Sequence, residues 1–411
     1  MKTKYTILLF VLVMMSCNVK KQKGHYPKGT YGYDVEFFKN QQIDFFQLEN
    51  EENGAAILIC PGYQGRVMTS TANGMDGQSF GWINHEYIEA GKLNNKFNPF
   101  GGEERFWLGP EGGPFSIYFD AGVEQTFENW RVPGVLDTVP FVVVEKSKHK
   151  ASFKNTFELI NASGTLLNVG VDRSIRLLES HEVEKIFNVS LGEEIQWVAY
   201  ESDNILTNRG ENAWTENTGF LSIWLLSMFN TAEKGVVFLP YNEGDIDSLG
   251  KIVEDDYFGT VPSDRLIIKE GMIYFKVDGK YRSKIGLSPE RSTPFCGSYD
   301  PETNSLTILW YSKPKEPKRY VNSKWGEQDD PLKGDALNSY NDGPLADGSI
   351  MGPFYEIESS SPAALLNGGD SIRHIQRIFH FTGNEKKLNE IVQNIFHITL
   401  NDIESIFNND N

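Results

Sequence analysis

Short apolar runs broken by Gly, Asn and Asp recur along this chain without regular alternation with helical segments. They read AAILIC at 55–60, FSIYF at 115–119, FVVVE at 141–145 and GVVFLPY at 235–241. Runs of this length bounded by turn residues are strand signals. Asp278-Gly279 separates two alternating runs in YFKVDGKYRSKI, and DPETN does so in FCGSYDPETNSLTILWY. Turns of this chemistry join neighbouring antiparallel strands, which predicts a hairpin at each place. No Gly-rich turn with Walker or dinucleotide spacing occurs, which argues against a doubly wound nucleotide-binding fold. The expected class is all-β, built of antiparallel sheets.

Helical periodicity is confined mostly to the end. Leu388, Ile391, Val392 and Ile395 repeat at helical spacing after the candidate cap Asn384, and a second short helix is expected over 402–407, after Asn401. Both should lay apolar stripes on the sheet and close an exposed edge. At the other end, MKTKYTILLFVLVMMSCNVK places Lys2 and Lys4 before an apolar run from Ile7 to Met15. That is a secretory signal, too short to span a bilayer. MMSC resembles a bacterial lipobox, so Cys17 is the expected lipidation site and mature N-terminus. The organisation read from the chain is a signal peptide and lipobox over 1–17, a flexible tether over 18–28, one β domain over 29–383 and C-terminal helices over 384–411 packed on it. Such a protein is expected in the envelope of a Gram-negative bacterium, periplasmic or outer-membrane associated, touching the membrane only through its lipid anchor. Cys60 and Cys296 read as independent apolar residues rather than a disulfide. A net charge of −17 offers no footprint for nucleic acid.

Chemistry-bearing residues concentrate in two stretches. In NPFGGEERFW, followed by LGPEGG, strand alternation would put Glu103, Arg105 and Trp107 on one face and Glu104, Phe106 and Leu108 on the other, with Glu111 just beyond. A carboxylate, a guanidinium and an indole side by side suit a sugar, whose hydroxyls want polar partners and whose C–H face packs on a ring. In GDALNSYNDGPLADGS, Asp335, Asn338, Tyr340, Asn341 and Asp342 crowd what reads as a loop before the strand GPFYEIESSSP. On that strand Glu356 and Glu358 share a face, about 7 Å apart, and such a pair can hold different protonation states. Calcium is a rival use of the Asp/Asn run, although its spacing is not that of an EF-hand. His85 and His374 fall where they could face a site, each also readable as a core or rim residue. No nucleophile elbow, HExxH or CxxC pattern occurs, so no metal or cofactor is expected.

GYQGRVMTS (62–70), NPFGGEERFW (98–107), ILTNRG (205–210) and YEIESSSP (355–362) together resemble, in order and spacing, the galactose mutarotase-like superfamily, the β-supersandwich fold of aldose 1-epimerases. NSYNDGP and ESSSPAALL look closest to a group of secreted bacterial lipoproteins within it. The resemblance implies a sugar or oligosaccharide cleft, with Glu358 at the place of the general base and Glu356 as the alternate if the register slips by two. Phe100 stands where that family has a histidine, and Arg209 where it has its general-acid histidine. Arginine is always protonated and cannot shuttle a proton, so ordinary aldose 1-epimerase activity is not expected. Arg209 would instead bind an oxygen or an anion, which points to an acidic sugar. Arg66, Glu103, Arg105, Trp107, Glu111, Asn338, Tyr340, Asn341 and Asp342 are the expected binding residues, with Glu358, Glu356 and Arg209 as the acid–base group. Two readings follow: a carbohydrate isomerase, epimerase, lyase or hydrolase, or a glycan-binding lipoprotein without catalysis.

Overall fold

The computed structural model describes residues 26–345 and 347–408. The signal segment, Cys17 and most of the tether lie outside the described residues. In chain order the first elements are α1 (Tyr31–Asn40), β1 (Phe46–Asn50), β2 (Ala55–Cys60), β3 (Arg66–Thr71), α2 (His85–Ala90) and β4 (Arg105–Gly109). Next come β5 (Val142–Lys146), β6 (Lys150–Ile160), β7 (Leu166–Leu177), α3 (Ser180–Phe187), β8 (Ile195–Asn208) and β9 (Ser222–Asn230). They are followed by β10 (Val236–Pro240), α4 (Ile246–Leu249), β11 (Leu266–Lys269), β12 (Met272–Lys276), β13 (Ser283–Leu287), β14 (Phe295–Asp300) and β15 (Ser305–Tyr311). The last are β16 (Leu337–Asn341), β17 (Phe354–Ser360), β18 (Ser371–Gly383), α5 (Glu385–Phe396) and α6 (Leu400–Ser405).

A large sheet of ten strands runs β11-β12-β10-β14-β15-β18-β8-β7-β6-β5, a small sheet of five runs β13-β16-β17-β9-β4, and a third joins β1, β2 and β3. All strand pairs within these sheets are antiparallel. The architecture is the expected antiparallel β-sandwich with short C-terminal helices. The small sheet packs one face on the large one: Tyr355 of β17 meets Ser298 of β14 through their hydroxyls at 2.6 Å, and Ser359 meets His374 of β18 at 2.8 Å. Side chains alternate across a strand, so Glu356 and Glu358 point to the face of the small sheet away from the large one, where both are still buried. This alternation is what positions the site.

The DPETN turn joins β14 to β15 as a hairpin, with Asp300 opposite Ser305. Asp278-Gly279 does turn the chain, with Gly279 at φ +70°, but it carries β12 of the large sheet across to β13 of the small one. Local turn chemistry specifies the bend, whereas the choice of partner strand is made by distant packing. Residues 115–119 form no strand; Phe115, Ile117, Tyr118 and Phe119 are buried, and the Tyr118 hydroxyl donates to the Leu108 carbonyl at 2.9 Å. Nor is 334–349 a polar loop, because 337–341 is β16 itself.

Asn384 caps α5, its side chain accepting from the Lys387 amide, and Leu388, Ile391, Val392 and Phe396 are buried. The last helix begins at Leu400, two residues earlier than expected, because Thr399 rather than Asn401 supplies the cap. These helices and α3 cover Trp197, Phe238, Phe379 and Phe381 on the outer face of the central strands of the large sheet. They cover a face, not the edge that the sequence suggested.

The sandwich interior carries a polar layer. Glu104 and Arg173 pair at 2.7 Å with both side chains fully buried. Ser202 and Gln376 donate to Glu104 at 3.0 and 2.8 Å, and Arg173 donates to Asn204 at 2.6 Å. Every charge in this layer has a partner, which is the condition for burying one. Cys60 in β2 and Cys296 in β14 are free, buried thiols, both held well above the ordinary range by burial.

Candidate functional site on the outer face of the small sheet

Strand register brings the chemistry together. Glu358 lies opposite Asn338 of β16 and Leu226 of β9, and Arg105 of β4 lies opposite that same Leu226. Glu356 lies opposite Tyr340, which lies opposite Lys284 of β13. The outward row is therefore Lys284, Tyr340, Asn338, the two glutamates, Trp224, Arg105 and Trp107.

Each glutamate has a cation. Arg105 donates to Glu356 at 2.5 Å, and its guanidinium stands 4.7 Å from the Trp107 ring centre. Lys284 donates to Glu358 at 2.8 Å and stands 5.2 Å from the Trp224 ring centre. The Trp224 indole N–H donates to the same Glu358 oxygen at 2.9 Å. Burial pulls the Lys284 ammonium down, but Glu358, then Glu111 and Glu356, outweigh it and hold it above the usual lysine range. Burial lifts the Glu356 carboxyl to about 7; Arg105 opposes the lift and Glu358 adds to it. At one side Tyr257 and Asp335 share a hydrogen bond, and Asn338 donates to the Tyr257 hydroxyl at 3.2 Å. Four polar atoms here are buried without a hydrogen-bond partner: Glu358 Oε1, Arg105 Nε, Trp107 Nε1 and Trp130 Nε1.

Glu111 follows β4. Its backbone is fixed from two sides, the Ser323 hydroxyl accepting from its amide at 3.2 Å and the Ser116 hydroxyl donating to its carbonyl. Burial lifts its carboxyl to about 7, with Lys284 opposing and Glu358 adding. The Trp130 and Trp325 indoles stand beside it. The sign of the resulting pH dependence is determinate. The native state holds a proton here that the unfolded chain releases above about 4.5, so this contribution to stability is complete below that pH and lost as pH rises through about 7. Glu111→Gln lacks the term. Its stability relative to the native sequence should therefore grow by ~1–3 kcal/mol between pH 4.5 and pH 8, measured by urea unfolding at both.

Not every expected residue is here. Glu103 sits at a bend before β4, so alternation does not carry it to the Arg105 face; it accepts from Ser70 at 2.8 Å and pairs with His380 at 3.0 Å in the interior. Arg209 follows β8 of the large sheet, exposed and lying along Gly170. Asn341 points inward and holds the Gly279 amide at 2.9 Å. Arg66 is buried behind Arg105, donating to the Gly101 carbonyl at 2.8 Å, with its guanidinium lowered to about 10 by burial and then by Arg105. The close pass of Gly102, at φ +121°, makes room for it: a Cβ there would lie 2.5 Å from Arg66 Cδ. Asp342 braces the rim, accepting from Tyr340 at 2.7 Å and the Gly352 amide at 2.9 Å. His85 pairs with Asp34 at 2.6 Å at the start of α2, and His374 is buried between the sheets, where burial lowers it to about 3; neither faces the site. Among the described residues no group of three or more His, Cys, Asp or Glu is arranged to hold a metal ion. Two cavities, around Phe80 and Tyr355 and around Asn73 and Thr382, share none of the residues of this face.

A model of a family of unknown function, DUF6786, matches residues 29–407. The chain belongs to that family. No curated protein matches the DUF6786 chain by sequence. Among solved structures it is similar to the Slr1438 protein of Synechocystis sp. PCC 6803, at 13% identity and TM-score 0.50, over 83% of this chain and 96% of that one. A putative aldose 1-epimerase from Escherichia coli K12 has TM-score 0.47 and 10% identity, over 82% of this chain and 98% of that one. A galactose mutarotase-like protein from Lactobacillus casei ATCC 334 has TM-score 0.46 and 12% identity, over 82% of this chain and all (100%) of that one. At such identities the likeness is one of fold.

Lys284, Trp224 and Tyr257 were missed by sequence reasoning. A lysine alternating with Ile285 and Leu287 was a usable signal, hidden because SKI was read as the second arm of the Asp278-Gly279 hairpin.

Proposed function

We propose that the face of the small sheet turned away from the large one binds a sugar or oligosaccharide and that Glu358 takes part in acid–base chemistry on it. The observation that carries this reading is the set of unpartnered buried atoms, Glu358 Oε1, Trp107 Nε1 and Arg105 Nε, beside the Trp107 and Trp224 rings. Acceptor, donors and apolar planes on one face match the alternating hydroxyl and C–H surfaces of a pyranose. The mutarotase-like fold of the neighbours supports a carbohydrate ligand. A glycan-binding protein without catalysis is the second reading, favoured because the histidines nearest in sequence or fold, His85, His374 and His380, all pair with groups away from this face.

The acidic ligand suggested by Arg209 loses its premise, since that residue is exposed beyond β8. Arg105 and Lys284 are already matched to glutamates. What the face leaves open is one carboxylate oxygen, Glu358 Oε1, and the N–H donors of Arg105, Trp107 and Trp130, with no cation left unmatched, so we propose a neutral sugar. Calorimetry with neutral and glucuronate-containing oligosaccharides, alongside tryptophan fluorescence, tests both points. Neutral sugars should bind and alter the emission; tighter binding of the acidic set would restore the anionic ligand, and silence with every sugar would remove the cleft reading.

We also propose a lipid-anchored protein of the Gram-negative envelope, on the lipobox ending in Cys17. Expressed in such a host, the protein should sediment with membranes and Cys17→Ala should release it or stall processing. Recovery of soluble protein with a free Cys17 thiol would refute the anchor.

A further inference from the structure

The aromatic rings of the outer face do not stop at its rim. Trp224 and Trp107 have ring centres 5.6 Å apart, Trp107 and Tyr118 5.6 Å, and Tyr118 and Trp130 6.3 Å with planes 7° apart. From Trp130 the row reaches the surface. Phe127 lies 6.1 Å from it and Trp325 6.3 Å, with planes 12° and 24° from its own. Phe127 is 69% exposed and Trp325 37%, whereas Trp130, Tyr118, Trp107 and Trp224 are buried. A lone exposed ring needs no explanation, but exposed rings contiguous with a buried polar face do. The two loops that carry them are tied together: Gln125 accepts from the Gly113 amide at 2.9 Å and the Gly326 amide at 2.8 Å, and donates to the Gly113 carbonyl at 2.7 Å. Gly112 permits the contact, since a Cβ there would lie 2.4 Å from the Lys324 carbonyl oxygen. Beside the rings two polar atoms are buried without a hydrogen-bond partner, Trp130 Nε1 and Oε1 of Gln328, whose amide packs on Gly113.

From this geometry we infer that Phe127 and Trp325 form an outer sugar subsite, and that the ligand is a neutral oligosaccharide running from Glu358 to the surface rather than a monosaccharide. The inference rests on the sugar-binding reading of the outer face and names the size of its ligand. Near-parallel rings present the same kind of surface again and again, which suits a ligand built of repeated units. Each pyranose offers a C–H face to a ring and hydroxyls to the donor and acceptor that the protein leaves unpaired. A lipid chain, or the apolar surface of a second copy, would cover the rings and leave Trp130 Nε1 and Gln328 Oε1 unsatisfied. The chemistry therefore favours a glycan. Because Gln125 already fixes the two loops against each other, binding has little of their freedom to remove.

Calorimetry on the whole folded chain tests this with neutral α- and β-linked glucose, mannose and galactose series, each taken from the monosaccharide to the hexasaccharide. Affinity should rise with chain length. Phe127→Ala and Trp325→Ala should each weaken the long oligosaccharides by about two- to tenfold while leaving the shortest ligand that binds unaffected, and Trp325→Phe, which keeps a ring, should restore most of the loss. Phe127 is largely in solvent, so its removal leaves the fold intact. Affinity independent of length, or long-chain affinity untouched by both alanine variants, confines the ligand to the inner tryptophans and overturns the outer subsite alone. A dimer in sedimentation velocity that Phe127→Ala dissociates gives the rings to a second copy and likewise overturns it. No binding of any sugar at any length sinks the reading of the outer face on which the subsite stands.

Discussion

Glu104→Ala should cost about 3–5 kcal/mol of stability, seen as a lower urea midpoint with an unchanged slope. The substitution leaves Arg173 buried with neither exposure nor an anion, since both side chains of the pair are fully inside. Arg173 keeps Asn204, at 2.6 Å, and a longer contact of 3.4 Å to the Gly65 carbonyl, but neutral acceptors do not replace a carboxylate. Ser202 and Gln376 lose their acceptor at the same time. An exposed pair of the same chemistry supplies the control: Arg373 meets Asp203 at 2.6 Å with 58% of the arginine side chain in solvent. Arg373→Ala should cost less than about 1 kcal/mol. Equal losses at the two positions would mean that burial does not set the worth of these ion pairs.

That buried pair also accounts for the crowding of NPFGGEERFW. Its charges divide three ways, Glu103 to His380, Glu104 to Arg173 and Arg105 to Glu356, so one short stretch ties three parts of the molecule together. The sequence carries the types of these residues but not their destinations. Arg105 and Glu356 are 251 positions apart, and no local pattern encodes that meeting. Apolar runs bounded by turn residues were a sound guide to β2, β10 and the β14–β15 hairpin, and alternation was right to put Arg105 and Trp107 on one face. It misled at Glu103 because the Gly101-Gly102 turn and the bend after it interrupt the strand. Lys284 escaped notice for a related reason: its strand was paired in thought with β12, whereas the Gly279 turn sends it to β16. Arg209 was placed by likeness to a three-residue motif, and so short a motif does not specify which sheet a strand end serves.

Glu358→Gln separates a catalyst from a binder. The amide keeps the shape of the carboxylate and can still accept from the Trp224 indole, so the fold around β17 and the aromatic walls should survive. What it cannot do is take a proton, and an enzyme should lose about a hundredfold or more in kcat with KM changed far less. Lys284→Met probes the same pair from the other side. Removing the ammonium leaves Glu358, 1% exposed, without its cation, and an uncompensated buried charge costs about 3–5 kcal/mol in stability. Glu358→Gln likewise leaves the Lys284 ammonium, 14% exposed, without its principal anion, so both single variants should lose stability and their turnover is compared on the folded protein of each. A double variant, Glu358→Gln with Lys284→Met, removes both charges and should recover much of the stability lost by Lys284→Met while remaining inactive. Recovered stability without recovered turnover would assign the pair a structural worth separate from its chemistry. A protein in which none of these changes affects any conversion, but in which Glu358→Gln weakens sugar binding, is the glycan-binding form of the same face.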